Sequence, residues 1–248
     1  MTTAGEKPDP TPVLKVAVWR GDGEGRFQSF EVPRRPSQTV LDVVTHIQRH
    51  LDSTLSYRFA CRVGMCGSCA MMVNGTPRWT CRTHVDKVAG DGALELGPLA
   101  NMPVVKDLVA DMAGFFDKWA RAGGQFKGAA TRSDAFAVVD PASRQRREAD
   151  AGIECIGCGV CYAACDVVKW NRDYLGPAAL NRAWTLVNDA RDVRNAERLA
   201  AVAGDAGCHS CHTLMSCTEH CPKGLSPTRA ISGLKRATWR LALAEAEE

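Results

Sequence analysis

The sequence predicts an α+β protein of 248 residues, with a β-rich N-terminal domain over residues 1–102 and an all-α domain over residues 103–248. Three observations predict this division. Residues 13–32 and 70–80 alternate between apolar and polar side chains, as half-buried strands do. Apolar residues after residue 103 recur instead at helical spacing. Finally, the cysteines form separate groups in the two parts, so each part is expected to build its own site.

Composition excludes several classes of protein. Hydrophobic residues make up 45% of the chain and charged residues 24%, which is ordinary for a globular protein. A net charge of +3 is too small to indicate a nucleic-acid partner. No apolar run reaches the roughly 20 residues of a membrane helix, so membrane association is expected through a partner. Residues 1–12 are polar and proline-rich, unlike a secretory signal, which predicts a short disordered tail and a reducing compartment.

The predicted N-terminal elements are two hairpins and one helix. The first hairpin covers residues 13–32, with a glycine-rich turn at its centre. The helix covers residues 39–51, where Thr39 is placed to cap the first turn. The second hairpin surrounds Asn74-Gly75, the strongest short-range hairpin signal. The order β-β-α-loop-β-β is that of a β-grasp ferredoxin domain.

The C-terminal part is predicted to be helical. Apolar residues from Val105 to Trp119 are spaced by three and four, which predicts a helix of about five turns. Residues 123–150 show no sustained periodicity and are interpreted as a long surface connection that contacts a partner. Three further helices are predicted, over residues 180–187, 192–202 and 228–244.

The first cysteine group, here the loop group, has the C-x4-C-x2-C spacing of plant-type ferredoxins with a fourth cysteine after eleven further residues. This spacing is typical of a [2Fe-2S] cluster, whereas zinc prefers separated C-x2-C pairs. Gly64 and Gly67 allow the loop to bring N–H groups close to the cluster sulfurs. The predicted ligands are Cys61, Cys66, Cys69 and Cys81.

Two further cysteine runs follow in the second part. The first run is C-x2-C-x2-C-x3-C, at Cys155, Cys158, Cys161 and Cys165. The second run is C-x5-C-x3-C-P, at Cys211, Cys217 and Cys221. In ferredoxins three close cysteines of such a run bind one cluster and the fourth binds its neighbour, so the two runs are expected to share two clusters. Seven cysteines also exceed the four ligands of one zinc ion.

The second run lacks one cysteine. The position three residues before Cys217, where a full run has a ligand, is Leu214. A missing corner ligand predicts a [3Fe-4S] cluster beside a [4Fe-4S] cluster. The predicted [4Fe-4S] ligands are Cys155, Cys158, Cys161 and Cys221, and the predicted [3Fe-4S] ligands are Cys165, Cys211 and Cys217.

With these motifs in this order, residues 13–240 resemble the iron-sulfur subunit of succinate dehydrogenase or fumarate reductase. The motif Cys61-Arg-Val-Gly-Met-Cys-Gly-Ser-Cys69 and the segments 103–108 and 221–225 carry the resemblance. It implies a flavoprotein partner with covalent FAD, and membrane anchor subunits with or without haem b. Electrons would pass singly through the three clusters between FAD and quinone. The resemblance also implies a peripheral position on the cytoplasmic face of a bacterial inner membrane.

The resemblance further implies quinone neighbours. By position, Trp170 and His212 are similar to a Trp and a His of the family's quinone pocket. Packing of Trp170 at an interface, and a hydrogen bond from His212 to a backbone carbonyl, are the alternatives. Asp166 stands where family members commonly have proline. Its side chain is interpreted either as a proton relay near the quinone or as an exposed carboxylate at the start of a helix.

Other residues keep two interpretations. Cys208 is either an extra ligand or a small buried thiol. Basic residues follow the loop group and either contact the flavoprotein or form a solvated face; they are Arg78, Arg82, His84 and Lys87. For the whole chain, the alternatives are a soluble thiol:fumarate or heterodisulfide-reductase-like subunit that meets no quinone, and a zinc-stapled structural protein. The direction of catalysis is not encoded in this chain.

Overall fold

The computed structural model describes residues 12–246, so the predicted disordered tail before residue 12 lies outside the described residues. The architecture is α+β, as predicted, with a mixed sheet near the N-terminus and helices beyond it. The strands are β1 (Val13–Gly21), β2 (Gly25–Pro33), β3 (Ala70–Val73), β4 (Thr76–Trp79), β5 (Ala93–Gly97), β6 (Val104–Lys106) and β7 (Val109–Ala110).

Five strands form one sheet in the order β2-β1-β5-β3-β4. The two predicted hairpins, β1–β2 and β3–β4, are confirmed as antiparallel pairs. Strand β5 was not predicted from the sequence. It joins the two hairpins because it pairs parallel to β1 and antiparallel to β3. Leu94 and Leu96 of β5 are buried while Glu95 between them is exposed, so the alternation of a strand was present but short.

One helix covers this sheet. Helix α1 (Val40–His46) continues into a wider π-helical turn over Ile47–Leu51, which together match the predicted helix. Thr39 caps the helix as predicted: its hydroxyl accepts from Asp42 N, and the Asp42 carboxylate accepts from Thr39 N. Apolar residues of α1 and the strands form one buried cluster, which makes the N-terminal part a stable frame for the loop between α1 and β3.

The helix predicted from Val105 to Trp119 is wrong in its first half. Residues 104–110 form the small hairpin β6–β7, and helix α3 begins only at Ala113 and ends at Arg121. The reason is Asp107, which has φ 50° and is 2% exposed. Its carboxylate accepts hydrogen bonds from Gly21 N and Ser56 N, and this non-local anchor outweighs the helical spacing.

The remaining elements are helical, as predicted. The predicted helices are observed as α7 (Pro177–Val187), α8 (Asn195–Val202) and α10 (Pro227–Ala246). The other α-helices of the described residues are α2 (Val85–Val88), α4 (Arg144–Ile153), α5 (Val160–Ala163), α6 (Asp166–Trp170) and α9 (Ser216–Glu219). Helix α4 begins inside the segment 123–150 that was predicted to be a long connection and runs past its end, so that prediction holds only up to Ser143, the N-cap of α4. Helices α7 and α10 pack together in a second buried cluster.

A buried ion pair holds the start of the long connection. The Arg198 guanidinium is 2.9 Å from Asp192 Oδ1 and donates to the carbonyls of Gly123 and Gln125. Farther along, Phe136 is fully exposed.

The predicted domain boundary after residue 102 stays a prediction: Leu108 packs in the N-terminal cluster, while Leu99 packs in the C-terminal one. Among residues 12–246, no helix is both long and apolar enough to cross a membrane.

Candidate metal centres

The N-terminal centre is formed by the loop group, on the loop between the π-helical turn and β3 and on the turn after β4. Cys61 Sγ accepts backbone hydrogen bonds from Met65 N and Cys66 N, both at 3.3 Å. Cys69 and Cys81 are buried beside Leu41 of α1, and Cys81 N lies 3.5 Å from Cys69 Sγ. The four predicted cysteines, Cys61, Cys66, Cys69 and Cys81, are therefore brought together by one loop and one hairpin.

Electrostatics differ between the rim and the interior of this centre. Backbone N–H groups of Val63, Met65 and Cys66 lower the pKa of Cys61 to about 6. Burial, with Cys69 next to it, raises the pKa of Cys81 to about 11. A buried thiolate needs a compensating positive charge, which ferric or ferrous iron supplies. The soft thiolates and the N–H donors aimed at them fit an iron-sulfur cluster.

The middle centre is a cavity that is lined by cysteines of both runs. Three cysteines come from the first run and one from the second; they are Cys155, Cys158, Cys161 and Cys221. Gly157 and Gly159 have φ values of 63° and 78°, and the turns they allow let three cysteines of a short segment face one space. Burial raises the pKa of Cys158 to about 11 and that of Cys161 well above its usual value.

The same cavity has one polar neighbour that needs a partner. Asn181 of α7 lines the cavity and is 4% exposed. Its amide nitrogen Nδ2 is the one buried side-chain nitrogen or oxygen without a hydrogen-bond partner among the described residues. An unpaired buried donor beside four thiols fits a group that offers sulfur acceptors, as a cluster does. Asn181 was not predicted as a site residue from the sequence, because only the tertiary fold brings it beside the cysteines.

The distal centre is a second cavity, lined by Cys165 of the first run and by Cys211 and Cys217 of the second. Leu214, at the position of the missing cysteine, also lines it. Tyr174, which is 1% exposed, contributes its hydroxyl beside Cys211. Three thiols and one leucine around one space match the arrangement that was predicted for a cluster lacking a corner ligand.

Cys208 does not line either cavity. It is fully buried in the C-terminal cluster, and its Sγ lies 3.8 Å from the hydroxyl of Thr238. Burial raises the pKa of this thiol, so it is held in its neutral form. Of the two interpretations left open by the sequence, the structure favours the buried thiol.

Of the two predicted quinone neighbours, only His212 lies at the rim of the distal centre. His212 and Asp166 both line the cavity with exposed side chains, and Asp166 stands in the first turn of α6. Trp170, at the end of α6, is 69% exposed and does not line the cavity. The structure therefore places His212 in the same cavity lining as the three cysteines. Trp170 lies at the surface, one helical turn beyond Asp166.

Asn101 connects the two parts and was not found from the sequence as a site residue. Its side-chain amide donates to the carbonyls of Tyr162, Ala163 and Cys165, at 3.1–3.2 Å. These carbonyls end α5 and begin the turn to the distal centre, so Asn101 acts as a helix cap supplied from a distant segment. These hydrogen bonds fix the backbone at Cys165, the last cysteine of the first run.

The N-terminal and middle centres meet at a tight contact. Gly67 has φ +73°, and a Cβ at this position would overlap the Cβ of Cys158 and lie 3.0 Å from its Cα. Cys66 and Cys158 line one cavity of about 220 Å³ along this contact. A second groove, lined by Arg78, Arg82 and Lys87, runs to Cys221. Among residues 12–246, no group of three or more His, Cys, Asp or Glu side chains is arranged so that it could hold one metal ion.

Comparison with protein families supports the chemistry of both parts. The family described as a 2Fe-2S iron-sulfur cluster binding domain matches residues 14–117. The family described as a 4Fe-4S dicluster domain matches residues 154–226. The prediction of iron-sulfur cofactors in two successive domains is thereby confirmed, and the zinc alternative finds no support.

Comparison with whole proteins covers nearly the full chain. The succinate dehydrogenase iron-sulfur subunit of Paracoccus denitrificans is 39% identical over 91% of this chain and 88% of that protein. The fumarate reductase iron-sulfur subunit of Mycobacterium tuberculosis is 37% identical over 90% of this chain and 91% of that protein. A chain of the Mycobacterium smegmatis Sdh1 complex in the apo form superposes with a TM-score of 0.81 at 26% identity, covering 92% of this chain and 96% of that chain. The chain therefore belongs to the family of iron-sulfur subunits of succinate dehydrogenase and fumarate reductase, oxidoreductase complexes in which it serves electron transfer.

Proposed function

We propose that this subunit conducts electrons one at a time between the FAD of a flavoprotein partner and a quinone at a membrane anchor. The observation that carries the proposal is the sharing of cysteines between the two runs. Cys221 of the second run joins the middle centre, and Cys165 of the first run joins the distal centre. Such sharing is how two clusters are held close together in ferredoxins, and it serves electron transfer between them.

These centres support three ligand sets. A [2Fe-2S] cluster is assigned to Cys61, Cys66, Cys69 and Cys81. A [4Fe-4S] cluster is assigned to Cys155, Cys158, Cys161 and Cys221. A [3Fe-4S] cluster is assigned to Cys165, Cys211 and Cys217. When bound, these clusters supply reversible one-electron oxidation and reduction.

The protein's own residues prepare the path. Backbone N–H groups around Cys61 stabilise negative charge on its sulfur, which favours cluster binding at the rim of the loop. Gly67 permits the loop to approach Cys158 closely. Cys158 and Cys161 of the middle centre pack against the buried C-terminal cluster, which limits their contact with water and lowers the cost of moving charge between centres.

The two ends of this path are proposed to meet different partners. Val63 and Met65 are 57% and 63% exposed in the loop between Cys61 and Cys66, and Gly64 between them lies against Arg82. This end is assigned to the flavoprotein. His212 and Trp170 at the distal centre are assigned to the quinone and the anchor. We place the complex at the cytoplasmic face of a bacterial inner membrane, with an anchor that holds the quinone, with or without haem b.

Electron paramagnetic resonance of the assembled complex tests the proposal. In the oxidised protein we expect a near-isotropic signal from a [3Fe-4S] cluster at the distal centre. After chemical reduction we expect signals from a [2Fe-2S] and a [4Fe-4S] centre. If the oxidised signal is absent and reduction reveals two interacting [4Fe-4S] centres, the ligand assignment at the distal centre is overturned and Cys208 becomes a candidate ligand.

A further inference from the structure

The Asn181 side chain occupies an unusual position for a buried amide. It lies on α7, is 4% exposed, and its Nδ2 has no hydrogen-bond partner within residues 12–246. By contrast, Thr185 lies one turn further along the same helix and is also buried, but its hydroxyl donates to the backbone carbonyl of Asn181 at 2.9 Å. An unpaired buried donor destabilises a protein, so a partner for Asn181 is expected.

The surroundings of Asn181 identify the missing partner. Ala178 and Asn181 are three residues apart and therefore share one face of α7, and both line the middle centre. The same cavity is lined by the four cysteines. The other polar side chain in the lining, Lys223, is paired with Glu154 at 3.4 Å near the surface. Sulfur atoms of a bound cluster are thus the acceptors within reach of the amide.

We propose that the Asn181 amide donates an N–H···S hydrogen bond to the cluster bound by Cys155, Cys158, Cys161 and Cys221, and thereby raises the reduction potential of that cluster. Reduction adds negative charge to the cluster and its sulfurs, so a donor stabilises the reduced state more than the oxidised state. Asn181 is then a cofactor-contacting residue that sets the potential of the middle step. This inference rests on the proposed ligand assignment for that centre.

The test compares Asn181→Leu with Thr185→Val in the assembled complex, using redox titration monitored by electron paramagnetic resonance. Leucine keeps the branched shape and the number of side-chain heavy atoms of asparagine, and it removes the amide donor together with the amide oxygen. We expect Asn181→Leu to shift the reduction equilibrium of the [4Fe-4S] cluster toward the oxidised state by about fivefold, the size of one hydrogen bond. The other two clusters should keep their potentials. Thr185→Val removes a buried hydroxyl that does not line the cavity, and should leave all three unchanged.

The outcomes separate this inference from the proposed function. If the unmodified complex lacks a [4Fe-4S] signal, the ligand assignment fails and the inference fails with it. If the signal is present and Asn181→Leu leaves its potential unchanged, the hydrogen bond alone is overturned. An equal shift in Thr185→Val would also overturn it, because the effect would then reflect general repacking of α7.

A second measurement needs no variant and applies if Asn181→Leu does not assemble. The unmodified complex is prepared with asparagine isotopically labelled at its side-chain amide nitrogen. Electron-nuclear double resonance on the reduced [4Fe-4S] cluster should then show a coupling to the labelled nitrogen. The absence of such a coupling contradicts a direct N–H···S contact.

Discussion

At the scale of single residues, two cysteines of this chain have opposite roles. Cys158 lines the middle centre with three other thiols, whereas Cys208 packs in the C-terminal core against Thr238. We expect Cys158→Ala to abolish the [4Fe-4S] cluster and assembly, because metal binding contributes folding energy. We expect Cys208→Ala to retain all three clusters at a cost of about 1 kcal/mol. Iron content and spectra of the two variants check both statements. Loss of a cluster in Cys208→Ala would identify that thiol as a ligand.

Leu214 offers a gain-of-ligand prediction. It lines the distal centre at the position where a complete run carries a cysteine, and it is 51% exposed. We expect Leu214→Cys to allow a fourth iron to bind, because the three existing thiols already hold the other corners. The near-isotropic oxidised signal should then disappear and the iron content should rise. Leu214→Ala is the control and should keep the original signal. A Leu214→Cys protein with an unchanged signal would contradict the predicted empty corner.

At the scale of elements, Asp107 decides what residues 104–110 become. Its buried carboxylate accepts from Arg20 Nε at 3.1 Å as well as from two backbone N–H groups. Asp107→Ala would leave these donors unpaired, which we expect to cost about 3 kcal/mol in local stability. Amide hydrogen exchange over residues 104–110 should accelerate accordingly. Asp86→Ala removes the partner of Arg34 at an exposed site. The local stability around Arg34, measured by the same exchange experiment, should change by less than about 1 kcal/mol. If residues 104–110 are as well protected from exchange in Asp107→Ala as in Asp86→Ala, the hairpin β6–β7 does not depend on the Asp107 carboxylate.

The elements around the cysteines were predictable to different degrees. The hairpins β1–β2 and β3–β4 and the capped helix α1 follow from local signals, because turn residues and a cap act over a few positions. The hairpin β6–β7 was predicted as a helix because apolar spacing alone does not reveal a carboxylate that accepts hydrogen bonds from residues 51 to 87 positions away.

At the scale of the whole molecule, the contact between Gly67 and Cys158 sets the distance between the first two centres. Gly67→Ala would force the loop group and the first run apart, since the added methyl would overlap Cys158 Cβ. We expect slower electron transfer between the [2Fe-2S] and [4Fe-4S] clusters, and weaker magnetic interaction between them in the reduced complex. Both are measured after confirming that the three clusters are present.

Gly75 provides a matched control for backbone strain. Its φ is +72°, nearly that of Gly67, but an added Cβ would meet nothing within 4 Å. Gly75→Ala therefore carries the same left-handed strain without a steric conflict between centres. If both variants slow electron transfer equally, strain in the N-terminal part rather than separation of the centres is responsible.

The direction of the overall reaction also belongs to the whole assembly. A change of about 100 mV in the potential of the quinone corresponds to about 4.6 kcal/mol for two electrons. One hydrogen bond such as that of Asn181 contributes only about 1 kcal/mol. The identity of the quinone therefore outweighs any single residue of this chain in deciding between succinate oxidation and fumarate reduction.

The sequence by itself determined the cofactor chemistry and the grouping of the cysteines. A cluster requires several thiols within one short loop, so its ligands leave a spacing that is readable along the chain, as from Cys61 to Cys69 and from Cys155 to Cys165. Only the tertiary structure decided which other residues complete each centre. Asn181, Asn101 and Gly67 act across contacts between distant segments, and Cys208 is set apart from its neighbours by core packing. Such contacts follow from how buried surfaces and hydrogen bonds are satisfied together, and they leave no local pattern in the sequence.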